Sequence, residues 1–412
     1  MMQEATVSPV PAAEACVDVS RETQAEPCQQ NSSPSAAQTE GTIETVSVQT
    51  GPPPCLSTTP PRLGTLPGDL FSAEELQKVE ELRRFIDTFP VEPSSPESGA
   101  AASAAVEATV EKSLSASSSS ASSWFSWATA ESSSGSGESA EKAVQAQATE
   151  ITSLTWDELV WLDDDLLLSR YLRSYNWDQA EAQKQLLKTL SWRRVRKPHC
   201  IPPEEVVGTA QKGSIYRKGF DSRGRAIIYF KPGRDSGTSS NSSQQYILYT
   251  VERAMQSLDR LSGRDQLVFL LDFNGWGLSQ LPKTEVSREI VSILNDHYTD
   301  VLAEAYIVNA PSYFDAIWRL VSLMVHPDTA KKVQFLHTSN AKDLARLREA
   351  IPPVYLETCV GGDCAFDYDH VAYWEEERRQ FCEVMQAREK QLAALQASEK
   401  LQERIKANGQ SS

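Results

Sequence analysis

An α/β fold built on a mostly parallel sheet is predicted for the second half of this 412-residue chain, and three observations predict it. QLVFLLDF, from Gln266 to Phe273, is a continuous apolar run of strand length, the pattern of a strand buried on both faces. AYIVNA at 305–310 and KVQFL at 332–336 are two further runs of that kind. Helical patterns at 284–298 and around Tyr313 to Val325 separate them, and strand, helix, strand, helix, strand is the order of crossover units in an α/β sheet.

Along the chain, residues 1–150 are rich in Ser, Ala, Pro, Thr and Glu and nearly free of apolar periodicity, so a mostly disordered tail is expected. One helix interrupts it near 72–89, where Ser72 and Glu75 form a capping box ahead of Leu76, Val79, Leu82, Phe85 and Ile86. An aromatic island, Trp124, Phe125 and Trp127, lies in a Ser tract that is either an idle linker or a docking element. Two helical patterns follow from Trp156 to Arg196 and end near Pro198. SIYRKGFDSRGRAIIYFKPG then alternates about an Asp-Ser-Arg-Gly turn, which predicts a hairpin over 214–231. A polar loop at 237–243 precedes a helix over 246–261, and a terminal helix is expected over 370–408.

Charge is unevenly spread. Residues 1–150 carry 7 Lys and Arg against 21 Asp and Glu, so all but 2 of the 16 net negative charges lie in that region. The remainder is near neutral and has no basic excess to attract nucleic acid. Cys16, Cys28, Cys55, Cys200, Cys359, Cys364 and Cys382 form no CxxC pair, and the five His show no ligand spacing, so neither disulfide framework nor metal site is expected. No GxGxxG, GxxxxGK[ST] or GxSxG motif occurs, and no catalytic residue is assigned. The chain lacks an 18-residue apolar run, so a cytoplasmic protein that meets membranes peripherally is expected.

The helix around Tyr313 to Val325 is unusual, because only Asp315, Arg319 and Ser322 in it are strongly polar. A helix apolar on nearly every side is either a core helix or a lid between a bound lipid and a membrane. The segments RYLRSYNWDQAEAQKQLLKTLSWRR, DSRGRAIIYFKPGR, LVFLLDFNG, HYTDVLAEAYIVNAP, HPDTAKKVQFL and VGGD, in that order, resemble the CRAL-TRIO family of lipid-transfer proteins. IYFKPGR, YIVNAPSYF and FDYDHVAYW are most similar to the fungal phosphatidylinositol transfer proteins linked to pleiotropic drug resistance. The resemblance implies a helical N-terminal part over 154–200 and a lipid-binding domain over 205–365, with the helix after Tyr313 as a gate.

It also implies site residues. The family's TxxK pair falls on Thr329 and Lys332, and its acidic headgroup residue on Asp300, where the family usually carries Glu. Lys332 would offer three donors to a phosphate, and Asp300 would accept from inositol hydroxyls. Phe269, Leu271, Tyr306, Val308, Phe314, Ile317 and Trp318 are the candidates for pocket and gate. Leu267 and Phe269 stand where the founding yeast member has small hydroxyl residues, so phosphatidylcholine is expected to bind poorly and a sterol becomes a candidate second ligand. The function implied is non-enzymatic: a bound phospholipid, phosphatidylinositol, and no other cofactor. The protein would carry it between membranes or present it to a lipid kinase. A lipid- or sterol-gated scaffold and an α/β enzyme with an unrecognised site are the alternatives.

Overall fold

The computed structural model describes residues 71–92, 150–234, 240–278 and 284–398. The expected disorder of the N-terminal region and the Trp124 to Trp127 island lie outside these residues.

The first helix, α1 (Ala73–Asp87), starts where the capping box places it: Ser72 Oγ accepts from Glu75 N at 3.2 Å and Glu75 Oε2 accepts from Ser72 N at 2.8 Å. Its buried face, Val79, Leu82 and Ile86, packs on the helices that follow. A two-residue parallel pairing of β1 (Val91–Glu92) with β2 (Leu154–Thr155) joins the two segments. The expected two helices over 156–196 are three: α2 (Trp156–Leu162), α3 (Asp165–Ser174) and α4 (Gln179–Arg196). The first pattern is split by the acidic run, because Asp164 takes an extended conformation and its carboxylate accepts from the amides of Leu166 and Leu167. A short α5 (Pro203–Val206) leads to the sheet.

Five strands follow the chain in order: β3 (Ile215–Phe220), β4 (Ala226–Phe230), β5 (Leu267–Asp272), β6 (Leu302–Val308) and β7 (Val333–Leu336). β3 pairs antiparallel with β4, and the other three pairings are parallel. At the hairpin turn Asp221 Oδ1 accepts from the amides of Arg223 and Arg225, at 3.0 and 2.7 Å. Gly219 (φ +69) takes up the register shift in β3, and a Cβ there would lie 2.8 Å from the Tyr355 ring.

Between the strands run α6 (Ser240–Gln256), α7 (Thr284–His297), α8 (Phe314–Val321) and α9 (Pro327–Lys331). The α6 helix starts earlier than the polar loop at 237–243 suggested and ends before 261, where Arg260–Ser262 forms a separate turn. After β7 comes α10 (Ala341–Ala350), a helix not anticipated from the sequence. The last, α11 (His370–Gln396), returns to both parts: Tyr373 and Trp374 join the core around the sheet, and Leu392 and Leu395 join that of the helical part. No described helix is long and apolar enough to cross a membrane.

Candidate functional site

The sheet is asymmetric. Along β5, its middle strand, Leu267, Val268, Leu270 and Asp272 are buried while Phe269 and Leu271 are only half buried. The expectation of a strand buried on both faces therefore holds for one face. Pairing carries the asymmetry sideways. Phe269 and Leu271 are level with Ile228 and Phe230 on β4 and with Ala305 and Ile307 on β6, which are level in turn with Val333 and Phe335 on β7. Phe230, Val333 and Phe335 are also half buried, so an apolar face in the middle of the sheet is left incompletely covered.

This parity corrects two pocket candidates. Tyr306 and Val308 are level with Leu270 and Asp272 and lie on the sealed face, where they belong to the main core. The Tyr306 hydroxyl donates to Glu304 there, and Arg225 bonds the same carboxylate. Side chains alternate across a strand, so residues one position away, Ala305 and Ile307, occupy the open face instead. The sealed face is closed by the chain after β7: Phe366 and Tyr368 lie 5.4 and 5.6 Å from the Tyr216 ring, between centroids, and the Tyr229 hydroxyl donates to Tyr355 O at 2.8 Å.

Over the open face sits α8. It is shorter than the sequence suggested and two-sided, since Phe314, Ile317 and Trp318 face a cluster with Phe273, Trp276, Ile307 and Phe335, while Asp315 and Arg319 are exposed. It is therefore neither apolar all round nor a core helix. Phe314 lies 4.5 Å from Phe273, and Trp318 lies 5.6 Å from Phe335, between ring centroids. Asn309 (φ +56) marks the turn before α8, and Asn295 Nδ2 donates to Met324 O beyond it. Tyr313, at its start, and Leu323, just past its end, expose apolar surface, with Leu323 79% exposed.

The three headgroup candidates lie at the opposite end of the strands, where β6 and β7 begin. Lys332 Nζ is 2.8 Å from Asp300 Oδ1 and 2.7 Å from Leu302 O. Asp300 (φ +51) also accepts from Arg173 Nε at 2.9 Å and, through Oδ1, from Gln266 Nε2 at 3.1 Å. Arg173 reaches on to Asp265 Oδ2 at 2.6 Å. Thr329 is half buried on α9, and its carbonyl accepts from Lys332 N at 3.1 Å. Asp300 and Lys332 are thus brought into contact, with Thr329 one turn away. Arg173 and Asp265 were missed, because an Arg in the last turn of an amphipathic helix reads as a solvated end. These side chains are partly exposed and hold two cations against two carboxylates.

At the carboxyl ends of the strands a different polar group collects. Lys231 Nζ lies 2.7 Å from Glu357 and 3.3 Å from Asp272, and Cys359 Sγ lies 3.5 Å from both carboxylates. Burial pushes the Cys359 thiol up to about 11, with Glu357 and Asp272 adding to the effect and Lys231 opposing it. No group of His, Cys, Asp and Glu suited to a metal ion is present among the described residues.

Comparison with known proteins places this architecture. Residues 210–362 match the CRAL/TRIO domain. A CRAL-TRIO domain-containing protein of Schizosaccharomyces pombe is 27% identical over 54% of this chain and 21% of its own length. The phosphatidylinositol transfer protein PDR17 of Saccharomyces cerevisiae is 28% identical over 53% of this chain and 62% of its own. The phosphatidylinositol transfer protein CSR1 of Eremothecium gossypii is 25% identical over 50% of this chain and 48% of its own. The match thus spans between about a fifth and three fifths of these relatives. With a sheet of one antiparallel and three parallel pairings in the matched region, residues 210–362 of this chain form a CRAL/TRIO domain.

Proposed function

We propose that the protein is a non-enzymatic carrier that holds phosphatidylinositol under α8 and moves it between membranes or presents it to a lipid kinase. The observation that carries this reading is the half-covered apolar face on the middle strands, from Phe230 through Phe269 and Leu271 to Phe335. A sheet interior normally closes over such residues, because each methylene removed from water contributes about 0.8 kcal/mol. Acyl chains would complete that burial, and the exposed Tyr313 and Leu323 beside α8 suit transient contact with a bilayer. Two relatives are phosphatidylinositol transfer proteins by name.

At the other end of the sheet, Lys332 and Arg173 would meet a phosphate and Asp300 the inositol hydroxyls, with Thr329 alongside. The ligand would displace part of the Lys332 to Asp300 pairing, and the shorter Asp suits contact through water as well as direct contact. Phe269 on the open face has no donor for a choline-lipid phosphate, so phosphatidylcholine should bind poorly; a sterol is the second ligand this apolar surface favours. Cys359, at the strand ends where α/β enzymes place their chemistry, has its thiol pushed up to about 11 by burial, which makes it a poor nucleophile and leaves a thiol-based enzyme without support. The protein would then work in the cytoplasm, peripherally at membranes.

Transfer of labelled phosphatidylinositol between vesicles tests the proposal. Wild type should transfer it, and Lys332→Ala should lose at least tenfold in rate while keeping its fold. Binding without transfer would support a lipid-gated scaffold instead, and extracts of the purified protein free of phosphatidylinositol would overturn the cargo.

A further inference from the structure

Between the helical part and the sheet domain lies a separate cavity of about 50 Å³, walled by Arg170, Tyr171 and Arg193 on one side and Glu252, Tyr298 and Thr299 on the other. One water needs roughly 10–15 Å³ on this measure, so the space admits a few waters or one small ion. The charges on its wall do not cancel. Arg193 holds Glu252 through two bonds, of 2.7 and 3.3 Å, and Tyr298 donates to the same carboxylate at 2.8 Å, so that pair is satisfied. His297, also on the wall, is neutral, since burial and the cations of Lys188 and Arg193 push it down to about 3.

Arg170 is left over. It is 6% exposed, and its contacts are Nη1 to the carbonyl of Asp265 at 3.3 Å and to Met255 Sδ at 3.7 Å. Its Nε has no hydrogen-bond partner, and the nearby Asp265 carboxylate is engaged by Arg173 at 2.6 Å. Burying a guanidinium that no carboxylate bonds costs several kcal/mol unless something compensates it. We propose that a small monovalent inorganic anion, of the chloride class, occupies this cavity beside Arg170 and ties α3 to the sheet domain. A single uncompensated cation, with the Glu252 carboxylate across the space, selects against multiply charged oxyanions. This inference is independent of the lipid reading.

The test uses the full chain and chloride itself. At fixed ionic strength, replacing gluconate with about 150 mM chloride should raise the wild-type Tm by a few degrees, as expected when a ligand binds only the folded state. The rise should vanish in Arg170→Gln and persist in Lys332→Ala. Crystals grown with bromide should show an anomalous peak within hydrogen-bond reach of Arg170 Nε, which decides the matter even if Arg170→Gln fails to fold. Equal Tm in the two salts, or water alone beside Arg170 in bromide, would overturn the proposal.

Discussion

His297 stacks on Trp192 at 4.2 Å between ring centroids, with Thr189 Oγ1 3.3 Å from its Nδ1. Burial pushes its pKa from 6.5 down to about 3, and His199 moves in the same direction for the same reason. The unfolded chain takes up a proton that the folded one refuses, so stability is full above about 6.5 and falls as pH drops toward about 3. His297→Gln should therefore flatten the decline in urea midpoint between pH 7 and pH 5, leaving the part due to His199; an unchanged slope would show that other groups carry it. Lys332 behaves differently. Its pair with Asp300 is partly exposed and Asp300 keeps Arg173, so Lys332→Ala should change unfolding free energy by less than about 1 kcal/mol. That separates loss of transfer from loss of fold. Asp300 and Lys332 were candidates in the sequence because they fell on a motif of the resemblance, and the structure puts them in contact, whereas Arg173 became visible only when folding brought α3 against the start of β6.

Among the elements, the paired strands β5 and β6 test the two faces of the sheet most directly. Phe269→Trp, on the open face, should lower co-purified lipid per protein several-fold by filling the space beneath α8. Tyr306→Phe, on the sealed face, should leave it unchanged and lose only the bond to Glu304. If the second variant emptied the protein and the first did not, the assignment of faces would be wrong. The apolar run of β6 was plain in the sequence, but a run buried on both sides has no alternation, so its parity had to come from pairing with β5 and β7. The same lack of contrast hid the two-sidedness of α8. Its Asp315 and Arg319 mark one face, but the other is recognised only by Phe273 and Phe335 beneath it. The cap of α1 is local and was readable in advance; Ser72→Ala should cost about 1 kcal/mol in thermal or urea unfolding.

At the scale of the whole molecule, α11 packs on the helical part through Leu392 and Leu395 and is anchored to the sheet domain through Glu377. Its Glu377 lies 2.7 Å from Arg217 Nε on β3 and 3.4 Å from Arg253 Nε on α6, and it accepts from the Tyr249 hydroxyl at 3.0 Å. All of these groups are buried. Removing one carboxylate would leave two guanidinium groups in the interior, so Glu377→Gln should cost on the order of 3–5 kcal/mol in denaturant unfolding. A cost under about 1 kcal/mol would mean that water reaches Arg217 and Arg253.

The sequence by itself determined the order and kind of most elements, the β3 to β4 turn, the α1 cap and the position of the TxxK pair, because each depends on residues a few places apart. Tertiary structure decided which face of β6 is sealed, how much of β5 stays uncovered, and which cations Asp300 meets. Those depend on residues distant in the chain, from Leu270 and Tyr306 on neighbouring strands to Arg173 and Asp300 more than a hundred positions apart, whose contacts no local pattern encodes.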